Sequence, residues 1–168
     1  MIKQILFFLV LSIFVFGGCN TQKEVTTFYL VRHAEKMSDG TKDPPLNDAG
    51  EKRSLLLADL FSEVDFDAIY TSDFKRTRST ATPISDKQDK VITLYDPHNL
   101  DNFKKHLFQN HKGQQVLIVG HSNTTPNLVN KIIGKEKHEQ LDESEYDKIF
   151  IVKSTLNGKG KSSVLVME

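Results

Sequence analysis

From residue 25 to residue 133 the chain alternates short apolar segments with longer segments of helical character. The short segments are rich in β-branched and aromatic residues, as strands are, and the longer ones cluster their apolar residues on one side. Strands that alternate with helices predict a parallel sheet covered by helices on both faces. The predicted strands cover residues 25–31, 68–71, 91–95 and 115–119, and the predicted helices cover about 48–61, 73–82, 100–108 and 126–133.

Capping residues and prolines set the expected helix boundaries. Asn47 or Asp48 is the expected N-cap of the first helix, with Glu51 able to close a capping box from Asp48. The second helix is expected to end near Pro83, and Pro126 is expected in the first turn of the last helix.

The end of the chain predicts a hairpin. Residues 148–153 and 163–167 have strand character and are joined across Asn157-Gly158-Lys159-Gly160, a hairpin-type turn. The expected fold is therefore an α/β three-layer sandwich, with a mostly parallel central sheet flanked by helices and a C-terminal hairpin at its edge.

The first residues have the pattern of a secretory signal. Lys3 precedes an apolar run from Ile5 to Gly18, which is shorter than the about 20 residues of a membrane-spanning helix. Gly17-Gly18-Cys19 resembles the lipobox of bacterial lipoproteins, in which the cysteine is lipidated after cleavage. We expect a signal peptide at 1–18, a lipidated Cys19 and tether at 19–24, and a domain at 25–168, exported and held on the periplasmic or surface face of a bacterial membrane. A buried helix, or an ordinary signal with an incidental cysteine, is the alternative.

Composition excludes several classes of protein. The 22 basic and 22 acidic residues give a formal net charge of zero, which argues against a nucleic-acid partner. The single cysteine excludes an intrachain disulfide framework and any cysteine-rich zinc or iron–sulfur site.

Cationic and imidazole side chains follow three of the predicted strands. Arg32 and His33 end the first strand, Arg76 follows the second, and His121 follows the fourth. Ligands of open α/β sheets bind beyond the carboxyl ends of the strands, so these four residues should converge. Guanidinium groups match phosphate oxygens, and an imidazole can act as a nucleophile. The pattern predicts a phosphate pocket with a nucleophile inside it.

Four ordered segments resemble the histidine phosphatase superfamily, the phosphoglycerate-mutase-like proteins. The resemblance covers about residues 25–166. The segments are Arg32-His33-Ala34-Glu35, Pro45-Leu46-Asn47-Asp48-Ala49-Gly50, Tyr70-Thr71-Ser72 with Arg76 and Thr80, and Gly120-His121-Ser122.

The resemblance implies a role for each matching residue. His33 would attack the phosphoryl group and become phosphohistidine, which water then hydrolyses. Arg32, Arg76 and His121 would bind the phosphoryl oxygens, with no metal and no cofactor. The implied substrate is a small phosphorylated molecule, either a phosphomonoester or a phosphohistidine. Neither its identity nor the oligomeric state follows from the sequence.

The general acid is the weakest part of the pattern. In many members of the family that this chain resembles, a carboxylate in the loop after the third strand protonates the leaving oxygen. The resemblance therefore implies Asp96 as the candidate catalytic acid and His98 as a second one, although Asp96 also suits a turn before a proline. Asp39 stands where many relatives have a phosphate-contacting asparagine, so that contact is expected to be absent or the loop differently built. Glu35 could pair with Lys36 or with an arginine.

Two other functions fit parts of the sequence. Gly120-His121-Ser122 resembles an incomplete nucleophile elbow of a serine hydrolase, for which only His138 follows Ser122 as a base. The uncertain acid and Asp39 would also suit a lipid-anchored phosphate-binding protein without turnover.

Overall fold

The computed structural model describes residues 25–155 and 159–167. The predicted signal, Cys19 and tether, and Asn157 and Gly158 of the predicted hairpin turn, lie outside the described residues. Within them the chain forms six strands and four helices. In chain order these are β1 (Val25–Arg32), α1 (Asp48–Leu60), β2 (Ala68–Ser72), α2 (Lys75–Gln88), β3 (Ile92–Tyr95), α3 (Leu100–Asn110), β4 (Gln115–Gly120), α4 (Thr124–Ile133), β5 (Lys148–Thr155) and β6 (Lys159–Val166).

The described strands form one mostly parallel sheet in the order β3-β2-β4-β1-β5-β6. The pairs β1 with β4, β2 with β4 and β2 with β3 are parallel, whereas β5 is antiparallel to β1. At the edge, β6 pairs antiparallel with β5, and Thr155 lies opposite Lys159. The predicted sheet and its C-terminal hairpin edge are confirmed.

Helices cover both faces of the sheet. Phe28 of β1 packs in a core with apolar side chains of α3 and α4. Val31 of the same strand packs in a second core with apolar side chains of α1 and α2. Because successive strand residues face opposite sides, these two cores lie on opposite faces, as a three-layer α/β sandwich requires.

The first turn of α1 is fixed against the loop that follows β1. Asn47 is the N-cap, and its side chain accepts a hydrogen bond from the Gly50 backbone N–H at 2.9 Å. A Cβ on Gly50 would lie 2.1 Å from the Glu35 carbonyl oxygen, so only glycine permits this approach. Of the two predicted caps, Asn47 is correct, and Asp48 is the first residue inside the helix.

Helix α2 does not end at Pro83, contrary to the prediction, but continues through it to Gln88. Proline removes the N–H that would bond to the Ser79 carbonyl and costs about 3 kcal/mol inside a helix. The turn beyond it buries Ile84 in a core. The Gln88 side chain also accepts a hydrogen bond from the Phe66 backbone N–H at 3.0 Å. Tertiary packing therefore outweighs the local preference.

Three neighbouring strands, β2, β4 and β1, end at the same edge of the sheet. They end at Ser72, Gly120 and Arg32 respectively. The histidine motifs that follow β1 and β4 are therefore brought side by side by the parallel pairing. No helix in the described ranges, 25–155 and 159–167, is long and apolar enough to cross a membrane.

Candidate active site

A cavity of about 420 Å³ opens at this edge of the sheet. Its lining includes Arg32, His33, Arg76 and His121, the four residues that the sequence predicted to converge. The rings of His33 and His121 meet edge to face with centroids 5.4 Å apart. The structure thus brings together the predicted phosphate-binding set.

His33 is held in one tautomer. Its Nδ1 lies 2.8 Å from the Ala34 carbonyl oxygen; since a carbonyl can only accept, Nδ1 carries the proton and Nε2 carries the lone pair. Burial, together with the charges of His121, Arg76 and Arg32, lowers the pKa of His33 to about 3. The imidazole is therefore neutral and nucleophilic at physiological pH.

His121 is positioned by Ser72 at the end of β2. Ser72 Oγ lies 2.8 Å from His121 Nε2, and Ser72 in turn donates to Thr77 Oγ1 at 3.2 Å. The other ring nitrogen, Nδ1, lies 3.5 Å from Arg76 Nη2. Burial, followed by the charges of Arg76 and Arg32, lowers the pKa of His121 to about 4.

Arg32 is almost fully buried, and the loop before β5 wraps around its guanidinium group. Nη1 donates to the carbonyl oxygens of Asp142, Glu143 and Glu145 at 2.8, 3.2 and 3.1 Å. Nη2 donates to Glu143 Oε2 at 3.0 Å, and the Tyr146 ring centroid lies 4.0 Å from Cζ. No acceptor among the described residues reaches the buried Nε.

Arg76 lies in the first turn of α2, across the cavity. Its Nη1 lies 3.4 Å from Asp43 Oδ1, and Asp43 also accepts from the Lys75 backbone N–H at 3.0 Å. The Phe74 ring centroid lies 4.5 Å from the guanidinium carbon. As with Arg32, the buried Nε has no partner in the described part of the chain. Two unpartnered guanidinium donors in one site suit an anion with several oxygens.

Asp96, the predicted general acid, does not line this cavity, whereas His98 does. Asp96 is exposed, and its Oδ1 accepts a hydrogen bond from the His98 backbone N–H at 2.8 Å. It therefore forms the turn that its position before Pro97 also allowed.

Glu35 and Asp39 also lie outside the cavity. Glu35 forms a two-pronged ion pair with Arg53 of α1, the closest contact being 2.6 Å. Partial burial raises the pKa of Glu35, but the hydrogen bonds from Arg53 outweigh it and leave the pKa below its usual value. Asp39 is exposed and accepts from the Thr41 backbone N–H at 3.0 Å. Glu35 thus ties α1 to the nucleophile loop, and Asp39 shapes a turn.

The structure does not assemble a serine triad around Ser122. The Ser122 hydroxyl donates to Glu143 Oε1 at 3.4 Å. His138, its predicted base, instead has Nε2 2.9 Å from Ser162 Oγ. Thr80 has a supporting place, because its hydroxyl accepts from the Ala34 backbone N–H at 2.9 Å and holds the chain beside His33.

Sequence reasoning missed three features of the site. These are the carboxylate of Glu143 on Arg32, the Tyr146 ring 6.2 Å from the ring of His33, and the bond from Ser72 to His121. Glu143 lies 111 residues from Arg32 in the sequence. It belongs to an acidic segment typical of an exposed surface, and no motif in that segment distinguishes it. Of the three features, only the contact of Ser72 had a signal in the sequence, because Ser72 stands at the end of β2.

The arrangement suits nucleophilic transfer of an anionic group. A neutral imidazole with a free Nε2 lies among two guanidinium groups and a second imidazole, so charge on a transferred phosphoryl group would meet fixed positive donors. No group of three or more His, Cys, Asp or Glu within residues 25–155 and 159–167 could hold a metal ion.

The sequence model of the histidine phosphatase superfamily (branch 1) matches residues 28–98. The chain is also 37% identical over 78 residues to phosphoserine phosphatase 1 of Hydrogenobacter thermophilus. That match covers 39% of this chain, which spans only 37% of the length of this curated relative.

Solved structures resemble nearly the whole described fold. The protein histidine phosphatase SixA complexed with tungstate has a TM-score of 0.67 at 18% identity, covering 83% of this chain and 96% of its own. Phosphoserine phosphatase of Entamoeba histolytica, complexed with 3-phosphoglyceric acid, has a TM-score of 0.68 at 14% identity, covering 85% and 98%. At these identities the likeness shows a shared fold.

Proposed function

We propose that the chain is a member of the histidine phosphatase superfamily and a phosphoric monoester hydrolase that uses His33 as its nucleophile. The match of residues 28–98 to the sequence model of that superfamily supports the proposal. The observation that carries this proposal is the Nδ1 hydrogen bond of His33 to the Ala34 carbonyl. It leaves Nε2 as a neutral lone pair in a cavity lined by Arg32, Arg76 and His121.

The reaction proceeds in two transfers at phosphorus. Nε2 of His33 attacks, the bond from phosphorus to the leaving oxygen breaks, and a phosphohistidine forms. Water then attacks phosphorus, the P–N bond breaks, and its electron pair returns to Nε2. Each step is chiefly one of positioning and electrostatic stabilisation.

The arginines and His121 hold the phosphoryl oxygens during both transfers. The unpartnered Nε–H groups of Arg32 and Arg76 supply donors. Nδ1 of His121 and Nη2 of Arg76 lie 3.5 Å apart, so a phosphoryl oxygen placed beside them would meet both groups. Fixed donors of this kind are each worth about 10²–10³ in rate.

The substrate is a small phosphomonoester, and a phosphohistidine is the alternative. The relatives are described as phosphatases of phosphoserine and of protein phosphohistidine, which supports both classes. The cavity residues recognise the phosphoryl group that the two classes share.

A direct test compares the wild-type protein with His33→Gln on p-nitrophenyl phosphate and on a panel of alkyl phosphates. We expect a loss in kcat of roughly 10³-fold or more, as for other nucleophiles. Lys105→Gln, on the exposed surface of α3, serves as the matched control with unchanged turnover. Equal turnover of His33→Gln and wild type would exclude His33 as the nucleophile.

A phosphate-binding protein without turnover is the second candidate, favoured by the position of Asp96 outside the cavity. Inorganic phosphate or vanadate would bind to such a protein, but no phosphohistidine would form on addition of any phosphomonoester.

We further propose that the protein is exported and lipidated on Cys19, with 1–18 removed as a signal peptide, as its lipobox-like segment indicates. The wild-type protein would then partition into the membrane fraction and carry an acyl mass on its first peptide. Cys19→Ser should abolish both. A Cys19→Ser protein that is processed and fractionates like the wild type would exclude lipidation.

A further inference from the structure

An alkyl phosphate needs a proton donor for its leaving oxygen, because an alkoxide is a poor leaving group near neutral pH. The predicted donor, Asp96, lies outside the cavity and is engaged in a turn. Outside the phosphate-binding set, the described residues that line the cavity and can donate a proton are Glu143, His98 and Lys36. Of these three, Glu143 is bonded to Arg32 of the phosphate-binding set.

Glu143 contacts the guanidinium group of Arg32 at Nη2, on the side that remains for a phosphoryl group. Nη1 of Arg32 is saturated by three backbone carbonyls, so Nη2 and the unpartnered Nε remain for an anion. Glu143 Oε2 lies 3.0 Å from Nη2, and Oε1 lies 3.4 Å from Ser122 Oγ. The carboxylate thus stands beside the position of a phosphoryl oxygen.

The Glu143 side chain is free to follow the substrate. It is 72% exposed, whereas the Arg32 side chain that it contacts is 2% exposed. Its backbone is fixed, because its own carbonyl accepts from Arg32 Nη1 at 3.2 Å. The side chain can therefore change rotamer at little cost while remaining within reach of the cavity.

We propose that Glu143 is the general acid and base of the reaction, a role that rests on the proposed phosphatase function. Glu143 Oε2 lies 3.0 Å from Arg32 Nη2, so a phosphoryl group bound to Arg32 would bring its leaving oxygen close to this carboxyl group.

The proton is balanced over the two transfers. In the first, Nε2 bonds to phosphorus and the P–O bond breaks. The leaving oxygen takes the proton of Glu143 and departs as an alcohol. In the second, the Glu143 carboxylate takes a proton from water as the water oxygen bonds to phosphorus. The P–N bond breaks, and phosphate leaves with His33 and Glu143 restored.

His98 is the competing acid. It also lines the cavity, but its side chain makes no hydrogen bond to Arg32, Arg76 or either site histidine in the described part of the chain. It lies in the loop before the N-cap of α3, whereas Glu143 is anchored by its own backbone beside Arg32.

The test compares two leaving groups in the full-length protein. The variants are Glu143→Gln, His98→Gln and, as a matched control, Glu139→Gln, an exposed carboxylate four residues earlier. On an alkyl phosphate, Glu143→Gln should lose about 10²–10⁴-fold in kcat/KM. On p-nitrophenyl phosphate, whose leaving group needs no proton, it should lose less than about tenfold. The basic limb of its pH profile should also disappear, and Glu139→Gln should match the wild type on both substrates.

Several outcomes overturn the assignment. Equal losses on both substrates would mean that Glu143 only positions Arg32, and a loss confined to alkyl phosphate in His98→Gln would assign the acid to His98. Wild-type activity of Glu143→Gln on both substrates would exclude Glu143 as the general acid and would leave the proposed phosphatase function standing. A wild-type protein that turns over neither ester and forms no phosphohistidine would instead overturn the phosphatase function itself.

Discussion

Burial of a neutral His33 makes the stability of the protein depend on pH. The pKa of His33 falls from 6.5 to about 3, first through burial and then through the charges of His121, Arg76 and Arg32. Between these two pH values, His33 therefore binds a proton in the unfolded chain and not in the folded chain. The contribution to stability is fully present above about pH 6.5 and is lost as the pH falls towards 3.

The magnitude follows from the two pKa values. Between pH 7 and pH 4.5, a group with a folded pKa of about 3 and an unfolded pKa of 6.5 lowers the free energy of unfolding by about 2.5 kcal/mol. Other groups titrate in this range, including His121, whose pKa falls to about 4. The contribution of His33 is therefore the difference between wild type and a variant without that imidazole.

The assay is urea unfolding of wild type and His33→Gln at a series of pH values from 7 to 4.5, followed by far-UV circular dichroism because the chain has no tryptophan. We expect the free energy of unfolding of the wild type to fall by about 2.5 kcal/mol more than that of the variant. If the two stabilities fell in parallel, His33 would not be a buried neutral imidazole, and its role as a ready nucleophile would lose its physical basis.

Three further substitutions test individual contacts. Gly50→Ala should lower the free energy of unfolding by about 3 kcal/mol, because its Cβ would lie 2.1 Å from the Glu35 carbonyl oxygen. The control, Ala49→Gly on the exposed side of the same turn, should lower it by about 1 kcal/mol. Equal effects of the two substitutions would contradict the close approach. Pro83→Ala should raise the free energy of unfolding by about 1–3 kcal/mol, because it restores a hydrogen-bond donor inside α2, and no gain in urea unfolding would show that the helix is not strained there. Ser72→Ala should lower kcat/KM on p-nitrophenyl phosphate by about 10²-fold through misplacement of His121, whereas unchanged kinetics would mean that Ser72 only packs.

The sequence predicted the parts of the site that follow from strand order. A parallel sheet collects the carboxyl ends of its strands at one edge, so strand order alone places Arg32, His33 and His121 together. Arg76 followed because its helix begins directly after β2. Asn47 was one of the two predicted helix caps. Gly50 was singled out only by its family-like segment, and its close approach to the Glu35 carbonyl could not be predicted.

Features set by tertiary packing could not be predicted in this way. Pro83 indicates a helix end by local preference, and only the burial of Ile84 beyond it explains why α2 continues. Asp96 matched a position in the chain, but its side chain closes a turn. Glu143 reaches Arg32 from a loop 111 residues away, and a run of acidic residues carries no signal for such a contact.

The most direct test of the account is chemical quench of a single turnover with ³²P-labelled substrate, followed by peptide mapping of the phosphoprotein. The account predicts an acid-labile phosphoramidate on the peptide that contains His33, attached at Nε2 because Nδ1 is held by the Ala34 carbonyl, and absent from His33→Gln. Turnover of the ester with no labelled protein, or with label on a serine or on another histidine, would contradict it.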